Sequence, residues 1–288
     1  MTRPMPKQLA LSLQGGGPEG DRIIAAAMAV VAFCHRYGIE LVGVSGSSVG
    51  AIGAALIARG FTAPRVLELL IHYLQHNRLL DPLTPKALLA LRLLEWGKIP
   101  ELVDREMGAG ATMGQSKIPL VVNVSDLDSG QPLYLSSWEH PQVLLRELLP
   151  TAGSVHPRIS GARTIPSLGT KLSPDIRRFV DSGWTDNTVD DVWDDQCPRV
   201  AIRLEEGSTR VRSVWQGGGL FDDDLACFRC ALNAASRPKT KRDDGVDIVL
   251  QRGAGWDFSK TPQQVRDSWA YGSQAAWSAL SAWYGVDQ

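Results

Sequence analysis

Cysteine is scarce in this chain: four in 288 residues, at Cys34, Cys197, Cys227 and Cys230. A chain of this length buries a full core without disulfide or metal staples, so a small stapled scaffold is excluded. Cys227-Phe-Arg-Cys230 has C-x-x-C spacing, but structural zinc needs a second pair at similar spacing, and Cys34 and Cys197 do not form one. Residues 224–235 read as a helix, so buried, reduced thiols are expected there, and no metal. A charge excess is also missing: 30 basic residues face 31 acidic ones, a net charge of -1. Broad nucleic-acid binding needs a basic surplus or stripe and is not expected. Long apolar runs are missing too. The first, Ile23 to Cys34, follows Glu19 and Asp21, is too short to cross a bilayer, and lacks a signal-peptide layout. A cytoplasmic location is the default expectation, and a delivered effector would have the same composition. No internal repeat and no clean linker appear, so residues 1–288 are expected to form one α/β domain.

What the chain has in quantity is glycine, 28 residues, and tryptophan, nine, both unevenly placed. Gln8 to Leu13 reads as a strand that runs into Gly15-Gly16-Gly17-Pro-Glu-Gly20, followed by a helix from Asp21 to Tyr37. Ile39 to Val44 reads as a second strand, ending at Ser45-Gly-Ser-Ser-Val-Gly50 before a small-residue helix over 51–59. This β-α-β-α order predicts a parallel sheet covered by helices. Pro64 and Pro85 open two further helices, to about Leu80 and Trp96. Ile118 to Val124 and Pro132 to Leu135 read as a hairpin around Asp128-Ser-Gly130, and residues 151–173 as a loop. Phe179-Val180, Val200 to Leu204, Val211 to Trp215 and Val246 to Leu250 read as strands. Thr261 to Tyr284 reads as a closing amphipathic helix.

Gly15, Gly17 and Gly20 fit G-x-G-x-x-G between a strand and a helix. Glycines there turn the chain tightly and leave N–H groups at a helix N-terminus to face an anion, a phosphate or a reaction oxyanion. A dinucleotide site also wants an acid at the end of the second strand. Glu40 stands at its start, and the end carries Gly46-Ser-Ser48-Val-Gly50 instead. That is G-x-S-x-G, whose sharp turn presents a serine to substrate. Parallel neighbours put their C-terminal ends side by side, so the two glycine motifs should meet.

A nucleophilic serine needs a base. The five histidines, at 35, 72, 76, 140 and 156, offer no local pattern: His72 and His76 lie four apart but lack the Glu of H-E-x-x-H. The alternative is a carboxylate in Phe179-Val-Asp181-Ser-Gly183-Trp-Thr-Asp-Asn187. With these three motifs in this order, the sequence resembles the patatin-like phospholipase family over about residues 7–204. The family carries a G-G-G-x-[Arg/Lys]-G loop, a G-x-S-x-G elbow and an Asp-Gly-[Gly/Ala] motif. Leu9-Ala-Leu-Ser-Leu-Gln14 is similar to its first strand, and Asp126-Leu-Asp-Ser-Gly130 to its Asp-Leu-x-Thr-Gly segment. Two positions depart from the pattern: Glu19 stands where the family has Arg or Lys, and Ser182 where it has Gly. Arg22, one helical turn on, is placed to offset Glu19.

The resemblance implies a three-layer α/β sandwich with a mostly parallel central sheet flanked by helices. It implies a Ser48–Asp181 dyad, an oxyanion hole from the Gly15, Gly16 and Gly17 N–H groups, and structural roles for Gly20, Gly46, Gly50 and Gly183. No metal or cofactor is implied, and the substrate is a phospholipid or other acyl-ester lipid. Seven of the nine tryptophans lie at or beyond Trp184. In the last helix Trp269, Trp277 and Tyr284 share a face, which fits either core packing or an interfacial patch for peripheral membrane contact. Two other readings stay open: a catalytically impaired protein of the same fold that binds lipid or a partner, and a nucleotide-binding α/β protein using Gly15–Gly20.

Overall fold

The computed structural model describes residues 3–74, 98–154, 163–169, 178–193, 197–205, 245–251 and 260–286. Within these, β1 (Gln8–Leu13), β2 (Glu40–Gly46), β3 (Leu120–Asp126), β4 (Gln131–Ser136), β5 (Phe179–Val180), β6 (Arg199–Leu204) and β7 (Val246–Leu250) form one seven-stranded sheet. The order is β4-β3-β2-β1-β6-β7, with β5 paired to β3. β1, β2, β3, β6 and β7 are parallel, and β4 and β5 run antiparallel to β3. Burial on both faces explains why β1, β3 and β6 read as nearly unbroken apolar runs rather than alternating ones.

The α-helices among the described residues are α1 (Gly20–Tyr37), α2 (Val49–Ala58), α3 (Ala63–Leu74), α4 (Ile99–Met107), α5 (Leu145–Ala152) and α6 (Pro262–Tyr284). α1 and α2 pack over β1, and Gly53 is small because a Cβ there would come within 2.9 Å of Ile24 and Leu13. α6 begins at a Thr261–Gln264 capping box and lies along α1. A Cβ at Gly272 would meet the Arg22 carbonyl at 2.4 Å, so this glycine sets how closely the two helices approach. The α/β layout with a mostly parallel sheet flanked by helices is the architecture expected from the sequence.

Several elements differ from the sequence expectation. α4 and α5 were not anticipated, although Pro100 marks the start of one and Leu145, Leu148, Leu149 and Ala152 bury one face of the other. Pro150 lies inside α5, which makes its last turn read as loop. β3 is shifted two residues toward Asp126, where it gains β5 as a partner. The expected helix over 85–96, the strand over 211–215, Cys227 and Cys230, and the end of the helix opened by Pro64 lie outside the described residues. On α6, Trp277 and Tyr284 pack on Phe33, with ring centroids 5.2 and 6.0 Å away, and Trp269 rests against the same core. These contacts are core packing, with Tyr284 buried and Trp269 and Trp277 half-buried. Burial pushes the Cys34 thiol up to about 11, so it stays protonated and inert in the same core.

Candidate active site

The order of strands reverses at β1: β2 and β3 lie to one side, β6 and β7 to the other. Ligand sites in such sheets lie beyond the carboxyl ends of the strands at this point. In register Leu13 pairs with Gly46, so the glycine loop after β1 and the elbow after β2 leave the sheet side by side. A Cβ on Gly15 would stand 2.8 Å from Ser48 Cβ and 2.3 Å from Asn187 Oδ1, so only glycine fits between them.

Ser48 is the sole non-glycine residue with positive φ among the described residues, at φ 51° and ψ -126°. Such backbone costs about 1–3 kcal/mol and persists only where its surroundings impose it. The surroundings are visible. A Cβ on Gly46 would meet the Gly50 carbonyl oxygen at 2.3 Å, and one on Gly50 would meet the Leu13 and Gln14 carbonyl oxygens at 2.5 and 2.6 Å. Strand end, elbow and helix start are thus folded on one another too tightly for any side chain at 46 or 50. α2 begins at Val49, directly after the serine, and places the positive end of its dipole there.

Asp181 arrives from the other side, after β5, and is fully buried. Ser48 Oγ donates to Asp181 Oδ2 at 2.6 Å, and the Gly183 N–H donates to Oδ1 at 2.7 Å. The loop is fixed from behind by Ser125 Oγ, which donates to the Asp181 carbonyl at 2.9 Å, and by the Asp181 N–H, which donates to the Ser154 carbonyl at 2.9 Å. Desolvation raises the Asp181 carboxyl to about 6, against the opposing pull of the Ser48 and Gly183 hydrogen bonds.

The glycine loop differs from expectation at one position. The Gly15 N–H donates to the Asn187 carbonyl at 3.2 Å, because the chain after Asp186 runs alongside the end of β1. Gly15 is therefore held in place rather than open to a ligand. The Gly16 and Gly17 N–H groups have no partner among the described residues. Gly17, at φ 54°, turns the loop into α1, and Gly20 packs directly against Val49.

Both departures from the family pattern have a local account. Arg22 Nε lies 3.1 Å from Glu19 Oε2, so the acid is neutralised one turn away, as its spacing predicts. The Ser182 hydroxyl, fully buried, accepts the Ser48 N–H at 3.0 Å and shares a 2.6 Å hydrogen bond with Ser47 Oγ. It ties the base loop to the elbow in a way a glycine there cannot. Ser182→Ala and Ser182→Gly should therefore behave alike. Each leaves the Ser48 N–H buried without an acceptor and lowers stability by roughly 1–3 kcal/mol in thermal or denaturant unfolding. A cost for Ala but not Gly would point to sterics instead.

Asp186 and Asn187 read from the sequence as turn-holding residues, and they lock the loop after Asp181; sequence reasoning missed their partners. Asn187 Nδ2 donates to the Gly15 carbonyl at 3.2 Å, and Tyr134 Oη donates to Asp186 Oδ2 at 2.6 Å. Asn123 Nδ2 donates to the Asp186 carbonyl at 2.6 Å. Further on, Ser12 and Ser45 reach the Val189 carbonyl, and Trp193 Nε1 donates to Ser45 Oγ at 3.1 Å. Arg199 and Arg203 of β6 hold Asp190. The buried serines on β1 and β2 were the available signal, since a buried hydroxyl in an apolar strand needs a partner.

Of the histidines, His35 and His72 are exposed, and His140 accepts the Ser136 N–H through Nδ1 at 3.4 Å. His76 and His156 lie outside the described residues. No group of three or more metal-ligating side chains occurs among the described residues. No helix among them is long and apolar enough to cross a membrane.

No protein-family model matches the sequence, and no curated protein does. Among solved structures, VipD from Legionella pneumophila matches with a TM-score of 0.53 at 14% identity, over 98% of this chain and 68% of VipD. The type III effector protein ExoU matches at 0.42 and 16% identity, over 98% of this chain and 54% of that one. ExoU in the heterodimeric complex with SpcU from the type III secretion system of Pseudomonas aeruginosa matches at 0.44 and 16%, over 100% and 53%. The chain thus spans about two thirds of VipD and about half of ExoU. At this identity the likeness to VipD is one of fold, and the fold is patatin-like α/β.

Proposed function

We propose that the chain is a serine acyl hydrolase that cleaves ester bonds of phospholipids or related acyl lipids. One observation carries the reading: a strained elbow serine donates at 2.6 Å to a carboxylate buried away from water. A free Asp is a weak base near neutral pH. A carboxyl raised to about 6 is a far better one and is still ionised at pH 7.

Ser48 Oγ attacks the ester carbonyl carbon as its proton passes to Asp181 Oδ2. The carbonyl oxygen gains the negative charge and is held by the Gly16 and Gly17 N–H groups, assisted by the α2 dipole. Collapse of the tetrahedral intermediate expels the alcohol, which takes the proton back from Asp181 and leaves an acyl-Ser48 ester. Water then attacks, giving its proton to Asp181. Departure of Ser48 Oγ, reprotonated from Asp181, releases the fatty acid. No cofactor enters these steps.

The other two readings have less support. The impaired-enzyme reading rested on Glu19 and Ser182, and both are accommodated without disturbing the Ser48–Asp181 pair. The nucleotide reading needs an acid beside the glycine loop, whereas Glu40 begins β2 at the far end of the strand and accepts from Gln8 Nε2. The test is reaction with an alkyl fluorophosphonate. Wild-type protein should be labelled and the Ser48→Ala chain should not, and unlabelled wild-type protein that also hydrolyses no acyl ester would sink the reading.

A further inference from the structure

The peptide between Gly15 and Gly16 carries a proposed oxyanion donor at one end and a held carbonyl at the other. Its N–H is that of Gly16, and its C=O is that of Gly15, which accepts Asn187 Nδ2 at 3.2 Å. In a planar trans peptide the two point in opposite directions. Fixing the carbonyl on Asn187 therefore fixes the direction of the N–H, away from Asn187. Glycines flank this plane on both sides, and neither has a Cβ to resist its rotation. A flip would put the Gly15 carbonyl oxygen where the Gly16 N–H stands and make the loop repel negative charge instead of attracting it. Asn187 also accepts the Gly15 N–H through its own carbonyl at 3.2 Å, so one buried residue grips Gly15 at both of its polar groups.

The Asn187 amide must present nitrogen, not oxygen, to the Gly15 carbonyl, and its surroundings set that choice. Asn187 Oδ1 accepts Ser47 Oγ at 3.3 Å, with the Asp186 carbonyl farther from the same hydroxyl at 3.5 Å. Ser47 Oγ also lies 2.6 Å from Ser182 Oγ. Each hydroxyl has one proton to give. Ser47 gives its own toward Asn187, so Ser182 donates to Ser47 and accepts the Ser48 N–H at 3.0 Å. The bonds run in one direction, from the Ser48 N–H through Ser182, Ser47 and Asn187 to the Gly15 carbonyl. We infer that Asn187 is the positioning residue of the oxyanion hole, aiming the Gly16 N–H at the ester oxygen, and that Ser47 and Ser182 orient its amide; the inference rests on the hydrolase reading above. Asn187 is fully buried and acts on the substrate only through Gly16.

The test measures p-nitrophenyl butyrate hydrolysis and its inhibition by octyl trifluoromethyl ketone. Ser48 Oγ adds to the ketone carbon as its proton passes to Asp181, and the former carbonyl oxygen becomes an oxyanion in the hole. Asn187→Leu keeps the size of the side chain and cannot donate to Gly15. It should lower kcat roughly 10²-fold or more, leave KM within about threefold, and weaken the ketone by the same factor as kcat/KM. An Asn187 that only held the fold together would lower kcat by reducing the folded fraction, and the inhibition constant of the remaining enzyme would stay at its wild-type value. Ser47→Ala is the second variant and decides the question where Asn187→Leu does not fold. It removes the donor to Asn187 Oδ1 and should weaken the ketone about tenfold. Wild-type inhibition constants in the folded variants, with Ser48-dependent hydrolysis retained, would overturn the positioning role and keep the hydrolase. A wild-type chain that neither hydrolyses the ester nor binds the ketone would overturn the hydrolase reading, and this inference with it.

Discussion

Asp181→Asn is expected to lower ester hydrolysis by roughly 10³-fold or more and, at the same time, to make the protein more stable at pH 8. The loss follows from the proposed role of the carboxylate. Asn has the same shape, can still accept the Gly183 N–H, and can take no proton from Ser48 Oγ. The gain follows from burial. The Asp181 carboxyl rises from an ordinary 3.8 to about 6 in the folded chain, with desolvation the leading cause. Between those values the folded state binds a proton that the unfolded state has released. Stability from this group is therefore fully present below pH 3.8 and falls by about 1.4 kcal/mol per pH unit up to about 6. Above that it is flat, and the ionised form has cost on the order of 3 kcal/mol. The Asn variant lacks this dependence. Denaturant unfolding at pH 4 and pH 8 should show the two proteins alike at the lower pH and the variant ahead at the higher. The same ionisation should make wild-type kcat/KM fall about tenfold per pH unit below pH 6.

The second large effect is structural. Gly50→Ala is expected to destabilise the chain by several kcal/mol, lower its melting temperature by on the order of 5–10 °C, and abolish hydrolysis. The added carbon would stand 2.5 Å from the Leu13 carbonyl oxygen and 2.6 Å from that of Gln14. Both are backbone atoms, one at the end of the central strand β1 and one directly after it, and cannot swing aside. Relief requires β1 and α2 to separate, which moves the glycine loop away from Ser48. Gly38→Ala is the comparison, since that helix-capping glycine, at φ 67°, has open space around it. It should cost only about 1 kcal/mol, from backbone strain alone, and leave hydrolysis unchanged. Equal effects at the two positions would show that tight packing at the elbow is not what makes position 50 special.

Much of this arrangement was legible because it is local. Gln8 to Leu13 and Ile39 to Val44 read as strands from their apolar and β-branched residues. The glycines at 15–20 and 46–50 mark the turns that follow, and parallel pairing then brings the turns together. Asp181 was legible in another way. It lies 133 residues from Ser48, and no spacing rule connects them; only the likeness of three ordered motifs to a family did. The rest depends on tertiary contacts that leave no local trace. That Gly15 gives its N–H to Asn187, and that Ser182 takes the N–H of Ser48, follows from how the chain after β5 crosses the ends of β1 and β2. α5 was hidden by Pro150 in its last turn. The tryptophans of α6 favoured a core over a membrane patch from the sequence, and Phe33 against Trp277 supplies the packing partner that the sequence could not name.

The most direct measurement of the central claim is the position of the fluorophosphonate adduct. Labelled protein is digested and the modified peptide sequenced by mass spectrometry. The account predicts a single adduct on Ser48, absent from the Ser48→Ala chain and formed much more slowly in Asp181→Asn. An adduct on another serine, or one on Ser48 that forms at the wild-type rate without the Asp181 carboxylate, would contradict it.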